Sequence, residues 1–140
     1  MSDNPLNPKT NITLVENFEE KIGYKLPLEY RNFLLECNGE GLNNKTVYIT
    51  DLHSDIIIQN FFGIEIPNND IYEWLKELKD DIKDKFLPIA SDPGGNFLLL
   101  DIEIGKVYYW DSARHFPVSS DSENTHLVAD SFSQLLNQFQ

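Results

Sequence analysis

The chain carries one cysteine in 140 residues, so Cys37 has no internal disulfide partner. It also lacks any apolar run near the roughly 20 residues a membrane helix needs. The longest such runs, residues 56–58 and 97–100, are strand-sized. No cationic start leads into an apolar stretch at residues 1–5, which argues against a secretory signal and for a cytoplasmic address. Without secretion the glycosylation triplets at Asn11 and Asn44 carry no meaning. Basic residues are scarce as well: 11 Lys and Arg stand against 23 Asp and Glu, a net charge of −12. A chain this acidic is poorly suited to grip a phosphate backbone directly, which takes clustered cations. It suits a basic partner instead, because complementary potentials speed and select encounters.

What is present is enough for a folded domain. Hydrophobic residues make up 41% and aromatics 12%, so high charge does not imply disorder. The length fits one domain, with residues 1–12 as a polar, flexible leader holding Pro5 and Pro8 and residues 13–140 as the fold. Thr13 and Glu16 have capping-box spacing, so a first helix is expected from Thr13, with Leu14, Phe18 and Ile22 on its apolar stripe and Gly23 as its stop. A second helix is expected from Pro27, with Tyr30, Phe33, Leu34 and Cys37 on one face and Asn38-Gly39 at its end. Cys37 then reads as buried filler.

The period then changes. Residues 47–49 and 56–62 are β-rich and bounded by turn residues. Asp70 and Glu73 form a second capping box ahead of Ile71, Trp74, Leu75 and Leu78, and the lysines from Lys76 to Lys85 alternate with acids on a solvated face. Three strands follow over 86–90, 96–102 and 107–111. Between the first two, Asp92-Pro93-Gly94-Gly95 suits a type II turn, and such short connections favour an antiparallel meander. Residues 97–100 show no alternation, which predicts a strand covered on both faces. Residues 125–129 read as a last strand, and Ser131 with Gln134 caps a last helix carrying Phe132, Leu135, Leu136 and Phe139. The expected class is α+β: a mainly antiparallel or mixed central sheet with flanking helices.

Catalytic signals are thin. The Gly-rich turn at 92–96 lacks a Gly-Lys-Ser/Thr sequence and leads into a strand, so it reads as a hairpin turn, not a phosphate loop. His53, His115 and His126 have no metal-ligand spacing. Asp111 with His115 has no nucleophile beside it, and Asp101 and Asp111 end adjacent strands where solvated acids commonly sit. Trp110 reads as core, while Tyr109 is open between core and surface. No catalytic residue, metal site or cofactor is expected.

Charge distribution says more. Residues 46–75 and 86–140 together hold twelve acids and two bases, so most of the acid excess lies in the strands and their loops. A cationic partner would meet Asp92, Asp101, Glu103 and Asp111 first, and Asp51, Asp55, Asp121 and Glu123 second.

Several segments also resemble a known family. Residues 20–34, running from Glu20-Lys21-Ile22-Gly23 through Leu26-Pro27 and Tyr30 to Phe33-Leu34, lead on to Asn38-Gly39 and resemble the opening of the SUKH superfamily, the Smi/Knr-like domains. Phe86-Leu87-Pro88-Ile89-Ala90 before Asp92 and Gly95-Asn96 resembles a second signature. Val107-Tyr108-Tyr109-Trp110-Asp111 resembles a third, and Ala129-Asp130-Ser131-Phe132 the closing helix. The resemblance implies an α+β domain that is not an enzyme. Bacterial members are commonly immunity proteins that bind a cognate toxin, often a nuclease; fungal relatives are regulatory interaction modules. The expected partner is therefore a basic protein toxin, with oligomeric state left open.

Overall fold

The computed structural model describes residues 9–39, 45–111 and 125–139. Four α-helices and seven strands are found among them: α1 (Ile12–Ile22), α2 (Leu28–Cys37), β1 (Lys45–Ile49), β2 (Ser54–Ile58), β3 (Asn60–Phe61), α3 (Ile71–Leu78), β4 (Phe86–Ser91), β5 (Phe97–Asp101), β6 (Val107–Trp110), β7 (Thr125–Ala129) and α4 (Phe132–Asn137). A 3-10 turn, Thr50–Leu52, joins β1 to β2.

The helices start and stop close to where local chemistry directs, with two shifts: Pro27, expected as the first residue of α2, is instead its extended N-cap (ψ 141°), and the cap of α1 moves as well. Asn11, not Thr13, caps α1: its Oδ1 accepts the Leu14 N–H at 2.9 Å. Both residue types cap helices, and Asn ranks above Thr. Gly23 ends α1 in the left-handed region at φ 80°, its N–H bonded to the Glu19 carbonyl at 2.9 Å. Asp70 caps α3 by accepting the Glu73 N–H at 3.1 Å. Ser131 caps α4 by accepting the Gln134 N–H at 3.1 Å, and the Gln134 side chain accepts the Asp130 N–H at 2.7 Å.

The strands form an α+β fold with antiparallel pairing throughout. β3 to β7 make a five-stranded sheet in chain order, and β1 with β2 makes a separate hairpin. Among the described residues the isolated parallel bridge is Gly63 with Asp70. The β-rich stretch 56–62 therefore divides: β2 belongs to the hairpin and β3 to the larger sheet.

The central strands are covered on both faces, as the unbroken apolar run of β5 predicts. Phe61, Ala90, Leu98 and Tyr109 stand in register across the sheet. Phe61 meets Phe33 of α2 at 6.2 Å and Phe139 at 5.9 Å, and Phe132 of α4 closes on Phe33 and Tyr30 at 4.9 Å each. Phe62, one residue later, stacks on Trp74 of α3 at 5.6 Å, with Phe97 5.2 Å from Trp74 and Trp110 beyond it. Each such ring removes enough apolar surface to contribute about 1.5–3 kcal/mol. Tyr109 and Trp110 are both buried, which settles the open position of Tyr109. Cys37 is half-buried, short of fully buried filler, and its Sγ donates to the Phe33 carbonyl at 3.4 Å.

Asn38-Gly39 does more than end α2. The buried Asn38 side chain accepts the Ile64 N–H at 2.8 Å and donates to the Ile64 carbonyl at 3.1 Å, standing in for a missing strand. Gly39, at φ 88°, lets the Phe62 carbonyl approach to where a Cβ would sit 2.6 Å from its oxygen. Glu19, in the last turn of α1, is also buried, accepting the Leu26 N–H at 2.8 Å and facing Arg31 at 3.8 Å.

Candidate functional site

The acids picked out by charge fall in three places. One is the β4–β5 turn, where the chain reverses after β4 and leaves several N–H groups in need of acceptors. Asp92 supplies them: its Oδ1 accepts from Gly94 and Asn96 N–H at 2.9 Å each, and its Oδ2 accepts the Asn96 amide at 3.2 Å and the Tyr109 hydroxyl at 2.7 Å. Asp92 is buried. The left-handed residue of the turn is Gly95 at φ 86°, not Gly94, which excludes the expected type II turn. The Gly95 N–H to Asp92 carbonyl bond and the Asp92 N–H to Asn96 carbonyl bond fit a three-residue hairpin loop whose last residue is left-handed. Half-buried Asp111 follows β6 at this same end, and burial, the Asp92 hydrogen bond and the charges of Asp92 and Asp111 raise the Tyr109 phenol above its ordinary pKa.

The second place is the other end of β5, about 17 Å away for a five-residue strand. Asp101 has no exposed surface. Its Oδ1 accepts from Glu103 and Ile104 N–H at 2.9 and 3.2 Å, and its Oδ2 lies 3.1 Å from the Lys85 ammonium. The hydrogen bond that Lys85 donates to Asp101 holds the ammonium above its ordinary pKa, with the Asp101 and Glu103 charges adding to it. Glu103 is exposed beside exposed Ile104.

Burial therefore changes the standing of two expected contact residues. Asp92 and Asp101 face inward because turn N–H groups have no sheet partner and take a carboxylate instead. Glu103 and Asp111, at opposite ends of the sheet, do not share one patch with each other.

The third place is the β1–β2 hairpin. Its inner residues Val47, Ile49 and Ile58 enter the core. Its outer face carries Thr46, Tyr48, Asp55 and Ile57, paired as Tyr48 with Asp55 and Thr46 with Ile57. Tyr48 and Ile57 are about half exposed, at 49% and 51%, large for apolar groups on a strand. Composition and charge gave no weight to these two. The signal available was strand alternation with an apolar residue on the outward phase. Asp51 lies in the 3-10 turn of the hairpin. Asp121, Glu123 and the pairing of Asp111 with His115 lie outside the described residues.

A different surface gathers the cations. Lys21, Lys76, Lys79 and Lys83, with Asp84, border a groove of about 450 Å³ between the C-terminal ends of α1 and α3. Among the described residues no group of three or more His, Cys, Asp or Glu could hold a metal ion, and no helix is long and apolar enough to cross a membrane.

Comparison with known sequences bears on both fold and function. The profile of the SMI1 / KNR4 family (SUKH-1) matches residues 10–138. The chain is also similar to an SPbeta prophage-derived uncharacterized protein, YokK, of Bacillus subtilis (strain 168), with 26% identity over 145 residues, covering 91% of this chain and 72% of that protein.

Proposed function

The chain belongs to the SMI1 / KNR4 family (SUKH-1), and from that premise we propose that it is an immunity protein that binds and neutralises a cognate toxin, without catalysis of its own. The observation that carries this reading is the family match over nearly the whole chain, since the family is associated with immunity proteins of polymorphic toxin systems. The net charge of −12 favours a basic toxin, and a nuclease is the natural candidate because its substrate groove must be cationic. Such an inhibitor works in the cytoplasm, beside the nucleic acid it protects.

The proposed contact surface starts from the hairpin face, where Tyr48 and Ile57 supply apolar anchors around Asp55. Exposed aromatic side chains are the usual energetic centres of interfaces, and rim acids chiefly set the association rate. Asp51, in the 3-10 turn of the hairpin, belongs to the same proposed surface, while Glu103 and Asp111, at opposite ends of the sheet, and Asp121 and Glu123 are proposed as separate acidic contacts. Asp92 and Asp101 act on it only by holding their turns.

The test is co-expression with a candidate toxin domain, such as the C-terminal domain of a large protein from a neighbouring gene, scored by growth. Wild type is expected to restore growth. Tyr48→Ala with Ile57→Ala is expected to abolish rescue at unchanged protein level, and Asp55→Lys to slow association in low salt. Rescue unaffected by all three removes the hairpin from the proposal. No rescue by wild type, with capture of cell-wall or housekeeping proteins instead, would favour a regulatory interaction module.

A further inference from the structure

We propose that the lysine-bordered groove between α1 and α3 binds a short acidic segment of a protein partner, in which carboxylates flank an apolar side chain. The groove has a floor and a rim of different character. Ile22, Leu75 and Ile82 form a half-buried apolar floor, and Lys21, Lys79 and Lys83 stand exposed around it with half-exposed Lys76. Four of the chain's eleven basic residues thus border this groove, with Asp84 the acid in its lining, in a molecule with twice as many acids as bases.

Two of the ammonium groups converge on a single ring. Lys21 and Lys76 each lie 5.0 Å from the centre of Tyr72, one from α1 and one from α3. Helix C-termini attract cations, which explains why lysines stand here. It does not neutralise them. Lys76 pairs with Glu73 at 3.1 Å, whereas Lys21 and Lys79 have no carboxylate partner among the described residues. Bringing like charges together over an apolar floor leaves a local positive potential that an incoming carboxylate relieves.

The chemistry selects one occupant. A space of about 450 Å³ holds a few side chains, not a domain. A long polyanion would also meet exposed Glu73 and Glu77 on α3 and Asp80 and Asp81 just after it. A second copy of this chain would bring another −12 of charge, which opposes self-association. A short segment that alternates acid and apolar side chains satisfies floor and rim together.

This inference does not rest on the toxin reading, and its test needs no toxin. Fluorescein-labelled peptides of alternating Glu and Leu, and of alternating Gln and Leu, are titrated against the whole protein by fluorescence anisotropy. The Glu peptide is expected to bind, the Gln peptide much less, and raising salt from about 0.15 M to about 1 M to remove most of the difference. Lys21→Glu with Lys79→Glu is expected to weaken the Glu peptide about tenfold or more while circular dichroism stays unchanged. Tyr72→Ala is expected to weaken both peptides, since the ring is part of the floor as well as the charge cluster. Equal binding of both peptides, or affinity unmoved by the lysine variant, overturns the proposal. Anionic phospholipid vesicles or a single-stranded oligonucleotide binding in place of the peptide, and lost in the same variant, overturns it in favour of another ligand class.

Discussion

Replacing Asp92 with Ala is expected to cost about 3–5 kcal/mol of stability, because one carboxylate serves four donors and one of them is buried. The Tyr109 hydroxyl, 2.7 Å from Asp92 Oδ2, belongs to a side chain only 3% exposed, so it has no ready water to replace the acid. A charge-assisted hydrogen bond of this kind is worth about 1.5–3 kcal/mol, and the two turn N–H bonds add about 0.5–1.5 kcal/mol each. The Asn96 amide is near the surface and adds little. A typical domain has about 5–15 kcal/mol in total, so the loss would be visible in a urea titration at neutral pH. Tyr109→Phe is expected to lose about 1.5–3 kcal/mol, and the cycle with Asp92→Ala to show coupling of similar size. A second readout follows from pH. Burial, then the Asp92 bond, raises the Tyr109 phenol above its ordinary value, so folding favours the protonated form. Its contribution is full below the unfolded phenol's pKa of 10.0 and is lost as pH rises through the higher folded value. Wild type should therefore lose stability above about pH 10 more steeply than Tyr109→Phe. An Asp92→Ala protein within about 1 kcal/mol of wild type, roughly the error of such measurements, or a coupling near zero, would refute the reasoning.

Further expectations are as direct. Lys85→Met should destabilise by about 1–3 kcal/mol, less than for a fully buried pair because a third of Lys85 is exposed, and unfolding in urea reads it. Since Asp101 raises the Lys85 pKa, that stabilisation should persist below the ordinary lysine value of 10.5 and fade as pH rises through the folded one. Gly39→Ala should cost several-fold more than Gly23→Ala: both have positive φ, but a Cβ at Gly39 meets the Phe62 carbonyl, while at Gly23 it meets open space. Thermal melts of the two variants would decide, and equal losses would contradict the packing argument. Asn38→Ala should cost about 2–4 kcal/mol by leaving both Ile64 backbone groups unpaired, which hydrogen exchange at Ile64 would report as lost protection.

Local chemistry made much of the fold legible. Capping by Asp70 and Ser131, the stop at Gly23 and the unbroken apolar run of β5 each act within a few residues, and each appears where the pattern places it. The misses are choices between near-equal local options. Asn11 and Thr13 both cap helices, and either glycine of Pro93-Gly94-Gly95 can take positive φ; the surrounding hydrogen bonds selected Asn11 and Gly95.

The acids show where sequence reasoning stops. Twelve acids in the strand regions are countable from the chain, but a count does not say which way a carboxylate points. Asp92 and Asp101 turned inward because hairpin turns need acceptors, while Asp55 and Glu103 stayed out. The lysines of α1 and α3 are more than fifty residues apart, and the groove they share exists only once the helices pack.

By itself, then, the order of apolar residues, caps and turns determined the elements, the α+β class and the family. Those depend on neighbours along the chain. Tertiary structure alone decided that Asn38 clasps Ile64, that Asp92 holds Tyr109, and that Tyr48 and Ile57 stay exposed on one hairpin face while lysines from distant segments gather at one groove. These depend on which distant residues become neighbours, and hydrogen-bond satisfaction and charge are settled only among neighbours in space.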